Sequence, residues 1–194
     1  SHELEHLWCG DLVTMKWWDD LWLNESFADV RAYNGVEATY PEHDPWADFI
    51  SVRVATAYEM DALTNSHPIH VPVNSPTEIR EIFDAISYSK GGMILRMVEH
   101  LLGKEVYRKG LNNYLKKYSY ANAEAKDLWS ALEKISGKNV GKIVDAWINK
   151  MGFPVVDVDV EGGKLKVSQR RFRYLGSDKK VIWNIPLSIV TNTG

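Results

Sequence analysis

Apolar residues recur along this chain with two different periods, and the change between them falls near residue 152. Before that point, apolar residues return every three to four positions, which places them on one face of an α-helix. After it, Val156, Val158 and Val160 alternate with acidic residues, the period-two pattern of a half-exposed strand. The pattern therefore predicts a mainly α protein with a C-terminal β portion.

Turn and capping residues set the bounds of the predicted helices. Gly103, Gly137 and Gly152 follow helical stretches, where they favour helix C-termini. The sequence SPTE at 75–78 has the form of a capping box and predicts a helix start. Two prolines in 64–75 predict an extended loop there. The predicted helices cover residues 2–9, 19–40, 44–63, from 75 onward, 89–102, 104–118, 124–136 and 140–150.

The β portion is predicted to be short. Residues 161–163 (EGG) predict a hairpin turn into a strand at 165–171, and a third strand is predicted at 181–190 after a polar turn at 176–178. That is too little sheet for an independent sandwich. We therefore predict two units, a helical unit at 1–152 and a short β unit at 153–194.

Composition narrows the class of protein but does not indicate which reaction it catalyses or which ligand it binds. The chain has 194 residues, of which 45% are hydrophobic and 25% charged, typical of a globular protein with enough residues to bury a core. A net charge of −3 gives no electrostatic reason to expect nucleic acid or an acidic membrane as a partner. The sequence shows neither a membrane-spanning apolar run nor a signal peptide pattern, and its single cysteine is typical of a reducing, cytoplasmic compartment.

The first six residues contain the motif His-Glu-x-x-His, which is typical of zinc hydrolases. His2 and His6 are four residues apart, so both imidazoles lie on one helical face and can reach one ion. Hydrolytic zinc takes three protein ligands and one water, and Glu25 on the next predicted helix is the natural third ligand. Glu3 can then act as the general base that takes a proton from the attacking water. The prediction is one zinc ion per chain.

The motif also has simpler explanations. His-Glu-x-x-His is short enough to arise by chance. The other common zinc class needs a glycine and a third histidine where this chain has Cys9 and Leu12, so that class is excluded. Asp29 is four residues after Glu25, and it is either an acceptor for the second ring nitrogen of a zinc-bound histidine or an ordinary exposed carboxylate.

Four segments together resemble the aminopeptidase N family of zinc aminopeptidases (gluzincins), and within it the cytosolic branch of puromycin-sensitive aminopeptidase and the tricorn-interacting factors. The segments are HELEHLWCGDLVT at 2–14, WWDDLWLNESFA at 17–28, SHPI at 66–69 and FDAISYSKG at 83–91. The resemblance implies that 1–152 is the C-terminal, helical part of a thermolysin-like catalytic domain, with part of a β-sandwich after it. It also implies a function: hydrolysis of N-terminal residues from peptides. The residue roles implied are zinc ligation by His2, His6 and Glu25, general base catalysis by Glu3 and hydrogen bonding to the oxyanion by Tyr88.

The chain also departs from the family pattern. Glu5 stands where the family has a small residue, and Leu7 and Cys9 stand where it has Gln and Phe. The family segment Gly-x-Met-Glu-Asn, whose glutamate grips the substrate's amino group, is not among these residues. Two alternatives stay open: a catalytically silent fragment or pseudo-enzyme acting as a structural or interaction module, and endopeptidase-like cleavage. We expect the missing parts of the same enzyme to be partners of this chain.

Overall fold

The computed structural model describes residues 1–176 and 181–190, and within them helices dominate the first three quarters of the chain. The prediction of a mainly α protein with a C-terminal β portion is confirmed. The α-helices are α1 (His2–Glu5), α2 (Leu21–Thr39), α3 (Pro45–Asp48), α4 (Ala55–Asp61), α5 (Gly91–Leu102), α6 (Lys104–Lys117), α7 (Ala125–Ser136) and α8 (Val140–Asn149). Short 3-10 helices lie at Trp18–Asp20, Pro41–His43 and Glu78–Ile82, and π-helical segments lie at Phe49–Val54 and Ile86–Lys90.

The main core forms where α2 packs against α5 and against the bundle of α6, α7 and α8. Trp22 and Phe27 of α2 are buried there with Leu95 of α5 and Leu128 of α7. Helices α2 and α5 approach closely, because Gly91 leaves room for the Ser26 side chain, which donates a hydrogen bond to the Ser87 carbonyl (2.6 Å). This contact fixes the start of α5, and the π-helical segment before it, against the helix that carries Glu25.

Two small two-stranded sheets complete the described fold. β1 (Val13–Met15) pairs in parallel with β2 (Ala121–Ala123), which ties the N-terminal segment to the start of α7. β3 (Pro154–Glu161) pairs antiparallel with β4 (Lys164–Arg171) through Gly162 and Gly163, both at positive φ. The predicted hairpin is therefore confirmed, while the pairing of β1 with β2 was not predicted. Assignment of 1–152 and 153–194 to separate units stays a prediction.

The third predicted strand, at 181–190, is wrong. Residues 181–190 form no strand with the part of the chain that the structure describes. Trp183 is buried and Ile182 is exposed, as an extended segment with period two requires. Its backbone is held by side chains instead of a strand, because the Gln169 amide bonds both the N–H and the carbonyl of Trp183 (2.9 Å each). Of the turn predicted before it at 176–178, only residue 176 lies within the described residues.

Three helix predictions need correction at their ends. The stub predicted at 2–9 is helical only over His2–Glu5 and continues as turns. The helix predicted at 44–63 begins at Pro45 and ends at Asp61, with the π-helical segment in its middle. The capping box at 75–78 is incomplete, because the Glu78 N–H donates to the Ser75 carbonyl instead of the Ser75 hydroxyl, and only a 3-10 helix follows. Among the helices of the described residues, none has the length and apolar character that crossing a membrane requires.

Candidate metal centre

Three side chains from two neighbouring helices converge on one point. His2 and His6 lie one helical turn apart on the side of α1 that faces α2, and Glu25 comes from the start of α2. The two histidine Nε2 atoms are 3.2 Å apart. Glu25 Oε2 lies 3.5 Å from Nε2 of His2 and 3.6 Å from Nε2 of His6. Within the described residues, this is the one group of three or more histidine, cysteine or acidic side chains close enough to share a metal ion.

The size of this triangle fits zinc. Zinc binds imidazole nitrogen and carboxylate oxygen at about 2.0–2.1 Å, so neighbouring ligand atoms of a tetrahedral site lie about 3.3–3.4 Å apart. The three observed edges, 3.2, 3.5 and 3.6 Å, bracket that value. Two imidazoles and one carboxylate are also a donor set that catalytic zinc accepts. The side chains are thus already arranged for one such ion.

The other ring nitrogen of each histidine lies close to an oxygen that can accept a hydrogen bond. His2 Nδ1 lies 3.2 Å from Asp29 Oδ1, and His6 Nδ1 lies 3.2 Å from the Cys9 carbonyl oxygen. A proton on each Nδ1, donated to these oxygens, would leave each Nε2 lone pair available to a metal.

Asp29 is deeply buried between α1 and the π-helical segment, with 5% of its surface exposed. Its second oxygen, Oδ2, accepts a hydrogen bond from the guanidinium of Arg53 at 2.8 Å. A buried carboxylate needs such partners, because an unpaired charge away from water is costly. The structure therefore shows Asp29 as a paired carboxylate in contact with His2 and not as a solvated one.

Glu3 and Tyr88 frame the same corner of the molecule. Glu3 is exposed on α1 between the two histidines. The Tyr88 ring lies nearly parallel to the His2 ring, with centroids 6.1 Å apart and an angle of 9° between planes. Burial, a hydrogen bond to Glu25 and nearby carboxylates raise the pKa of Tyr88, so its hydroxyl keeps its proton and can donate.

The residues that depart from the family pattern lie beside this corner. Glu5 is half-buried, and burial raises its pKa against the opposing pull of Arg31 and His6. Cys9 is buried, and the pKa of its thiol is raised to about 12, chiefly by that burial. The thiol therefore stays protonated and packs as a small apolar side chain.

Sequence reasoning did not predict the contacts of the residues that hold Tyr88 in place. Lys90, two positions after Tyr88, is buried and forms an ion pair with buried Asp61 (2.7 Å). Lys90 also donates to the Gly152 carbonyl (3.0 Å). Four residues before Tyr88, the Asp84 carboxylate is hydrogen-bonded to the His67 ring Nε2 (2.7 Å). It also accepts a hydrogen bond from the Ile86 N–H and so caps the segment Ile86–Lys90. A lysine or histidine far from its partner along the chain leaves no periodic signal, and only its position near the tyrosine motif pointed to it.

The donor set and the helix pair that carries it are those of a metallopeptidase. Comparison with known proteins agrees: the peptidase family M1 domain matches residues 1–147. The chain belongs to peptidase family M1, and the resemblance drawn from the sequence motifs is confirmed.

Relatives from distant organisms are similar over the whole chain. It is 48% identical over 194 residues to "Tricorn protease-interacting factor F2" of Thermoplasma volcanium, covering 100% of this chain and 25% of that protein. It is 50% identical over 192 residues to "Probable aminopeptidase 2" of Sulfurisphaera tokodaii, covering 99% of this chain and 25% of that protein. It is 46% identical over 198 residues to "Aminopeptidase 2" of Candida albicans, covering 100% of this chain and 21% of that protein. The chain thus spans a quarter or less of the length of these relatives.

Proposed function

We propose that this chain supplies the zinc-binding part of an aminopeptidase active site that hydrolyses N-terminal residues from peptides. The observation that carries the proposal is the triangle of His2, His6 and Glu25, whose edges of 3.2 to 3.6 Å suit one tetrahedral zinc ion. Family membership and relatives named as aminopeptidases support it.

In this proposal each side chain of the corner has one task. Zinc, when bound, would polarise the scissile carbonyl and lower the pKa of the attacking water. Glu3 takes the proton from that water and later returns it to the departing amine. Tyr88 donates its hydroxyl proton in a hydrogen bond to the oxyanion, which stabilises charge that exists only near the transition state.

The proposed partners follow from this chemistry. They are peptide substrates with a free N-terminus and the remaining parts of the same enzyme, since the chain spans only a quarter of its relatives. Nucleic acid and membrane are not proposed as partners, given the net charge of −3. We propose a cytoplasmic location on the strength of the single, buried cysteine, which is typical of reducing compartments.

Metal content after dialysis tests the site directly. We expect about one zinc per chain in the wild type and its loss in Glu25→Gln, because the neutral amide is a far poorer ligand than the carboxylate. Glu37→Gln is the matched control, since Glu37 lies exposed on the same helix and should leave zinc content unchanged. The absence of zinc from the wild type, or its retention in Glu25→Gln, would contradict the proposal.

Turnover separates the proposed activity from its alternatives. Glu3→Gln should keep zinc but lose about 10²–10⁴ in the rate of hydrolysis of an aminoacyl reporter, the usual contribution of a general base. Cleavage of peptides with blocked N-termini would favour endopeptidase activity. Zinc binding without any turnover by the 194 residues would favour the structural or interaction module, with catalysis dependent on the rest of the enzyme.

A further inference from the structure

We propose that Arg53 is a positioning residue for the metal centre: it holds Asp29, and Asp29 holds the His2 imidazole in the orientation that presents Nε2 to the metal. The inference deepens the proposed function and rests on it for the role of the metal. It requires that a residue outside the zinc motif control the geometry of the first ligand.

The two oxygens of Asp29 are divided between the two partners. Oδ1 lies 3.2 Å from His2 Nδ1, and Oδ2 lies 2.8 Å from the Arg53 guanidinium. The Asp29 side chain is 7% exposed, whereas that of Arg53 is 44% exposed. The carboxylate is therefore a bridge from a ligand histidine to an arginine at the surface.

Helix α2 alone does not orient this bridge. Asp29 sits on α2 one turn after Glu25, with torsional freedom about its Cα–Cβ and Cβ–Cγ bonds. A hydrogen bond from Arg53 to Oδ2 restricts that freedom, because the planar guanidinium imposes direction as well as charge. With Oδ2 fixed, Oδ1 is fixed too, and the His2 ring has one favoured orientation.

The π-helical segment Phe49–Val54 is what brings Arg53 to this place. Phe49 and Val54 are buried, while Ile50 and Val52 are exposed. A π-helical turn holds one more residue than an α-helical turn, so it changes which side chains face the neighbouring helix, and such turns are frequent at functional sites. Here the segment directs Arg53 toward Asp29, 24 residues earlier in the chain.

A purely stabilising ion pair would have a different consequence. Arg53 is partly exposed but its partner Asp29 is buried, so loss of the pair also lowers the free energy of unfolding, because the carboxylate is left without its cation. If its role were only stability, its loss would leave the His2 ring and the affinity for zinc unchanged. If it positions His2, its loss would change both while the protein stays folded.

The experiment compares Arg53→Met with Arg108→Met in the full chain. Arg108 is the matched control because it is exposed and pairs with a carboxylate, Glu105, far from the centre in sequence. The first readout is zinc affinity, measured by competition with a chelator.

Asp29→Asn should weaken zinc binding about 10–100-fold, as loss of outer partners of metal ligands does. Arg53→Met should weaken it about 10-fold, the lower end of that range, because it acts one contact further out. Arg53→Lys, which keeps the charge but not the planar fork, should fall between Arg53→Met and the wild type.

The second readout needs no metal. Two-bond ¹H–¹⁵N correlation spectra of the metal-free protein at pH 8, above the ordinary histidine pKa of about 6.5, report which ring nitrogen of His2 carries the proton. We expect Nδ1–H in the wild type and in Arg108→Met, and a mixture of tautomers in Arg53→Met.

A double-mutant cycle tests whether Arg53 acts through Asp29. In the Asp29→Asn background, Arg53→Met should change zinc affinity less than about 2-fold, because the bridge is already broken. The inference would be overturned if the effects of Arg53→Met and Asp29→Asn on zinc affinity simply multiplied in the double variant. It would also be overturned if Arg53→Met had the same His2 tautomer and the same zinc affinity as Arg108→Met. A wild type without zinc would contradict the proposed function instead, and the tautomer in the metal-free protein would still decide on Arg53.

Discussion

Two clusters of polar and charged side chains, the pair of Asp61 and Lys90 and the candidate metal centre, differ in whether protein groups supply the partner of each charge. At the junction of Asp61 and Lys90, buried charges meet inside the protein: Asp61 faces Lys90 and accepts from Ser66 and from the Gly152 N–H (2.6 Å each). At the candidate metal centre, His2, His6 and Glu25 instead bring three possible ligand atoms within 3.2 to 3.6 Å of one another. The first cluster pairs a buried anion with a buried cation of the protein, while the second is arranged for an added cation. The comparison teaches that the arrangement of ligand atoms, more than the presence of charge, separates a candidate metal site from a structural contact.

The largest expected effect comes from breaking the junction. Lys90→Met should lower the free energy of unfolding by about 3–5 kcal/mol, because it leaves the Asp61 carboxylate buried without its cation. Burial lowers the pKa of Lys90 and the Asp61 charge opposes that shift, which shows how closely the two charges depend on each other. Chemical denaturation measures the loss, and exposed Lys109→Met is the control that should stay near the wild-type value. An equal stability of the two variants would mean that the junction is not structural.

The next effect belongs to the metal centre and concerns activity only. Tyr88→Phe should lower turnover of an aminoacyl reporter about 10²–10³-fold, the usual loss for one oxyanion donor. Zinc content should not change, because Tyr88 is not one of the three convergent side chains. Tyr40→Phe is the control, since Tyr40 is exposed on the surface. Loss of zinc together with turnover would show that Tyr88 shapes the site instead of acting on the substrate.

A smaller effect tests how tightly the start of α5, directly after Lys90, packs on α2. A Cβ at Gly91 would collide with the Ser26 hydroxyl, so Gly91→Ala should cost about 1–3 kcal/mol of stability. At Gly141 in α8, the added methyl would meet the end of the Glu133 side chain at 3.4 Å and the Trp129 Cβ at 3.9 Å, both without a collision. Gly141→Ala should therefore be neutral or stabilising by up to about 1 kcal/mol, as helix propensity favours alanine. Thermal unfolding of Gly91→Ala and Gly141→Ala distinguishes the two explanations. Tight packing predicts a loss of stability only at Gly91, whereas a general intolerance of glycine replacement predicts a loss at both.

The smallest effect is a pH dependence of the free energy of unfolding that comes from the pair of His67 and Asp84. Burial opposes a charge on His67, but hydrogen bonds to Asp84 and the Pro68 carbonyl outweigh it and raise the pKa of His67. A raised pKa in the folded state adds stability below the unfolded value of about 6.5, and that stability is lost as the pH rises through the folded value. Asp84→Asn keeps a capping oxygen for Ile86 but removes the charge.

The free energy of unfolding of Asp84→Asn should therefore fall below the wild type by more at pH 5.5 than at pH 8.5. Asp145→Asn, at an exposed site where the carboxylate accepts from Asn149, is the control and should show no such difference. A gap that is constant or grows with pH would contradict the assigned direction.

Local rules predicted the metal centre better than they predicted its supports. His2 and His6 needed only the helical repeat to meet, and Glu25 needed a neighbouring helix. Arg53 and Asp61 could not be found in this way, because their partners lie 24 and 29 positions away and nothing periodic connects them. The C-terminal segment shows the same limit: a strand was predicted at 181–190, but the Gln169 side chain holds the backbone of Trp183 where a neighbouring strand was expected.

The amino-acid sequence by itself determined the helical character of most of the chain, the hairpin after residue 152 and the three side chains of the metal triangle. These depend on spacings of two, four or a few residues, which the backbone geometry converts directly into shared faces. Only the tertiary structure decided that Arg53 meets Asp29, that Lys90 meets Asp61 and that β1 meets β2. Such contacts depend on how whole helices pack, and packing selects partners by shape and charge across the fold instead of along the chain.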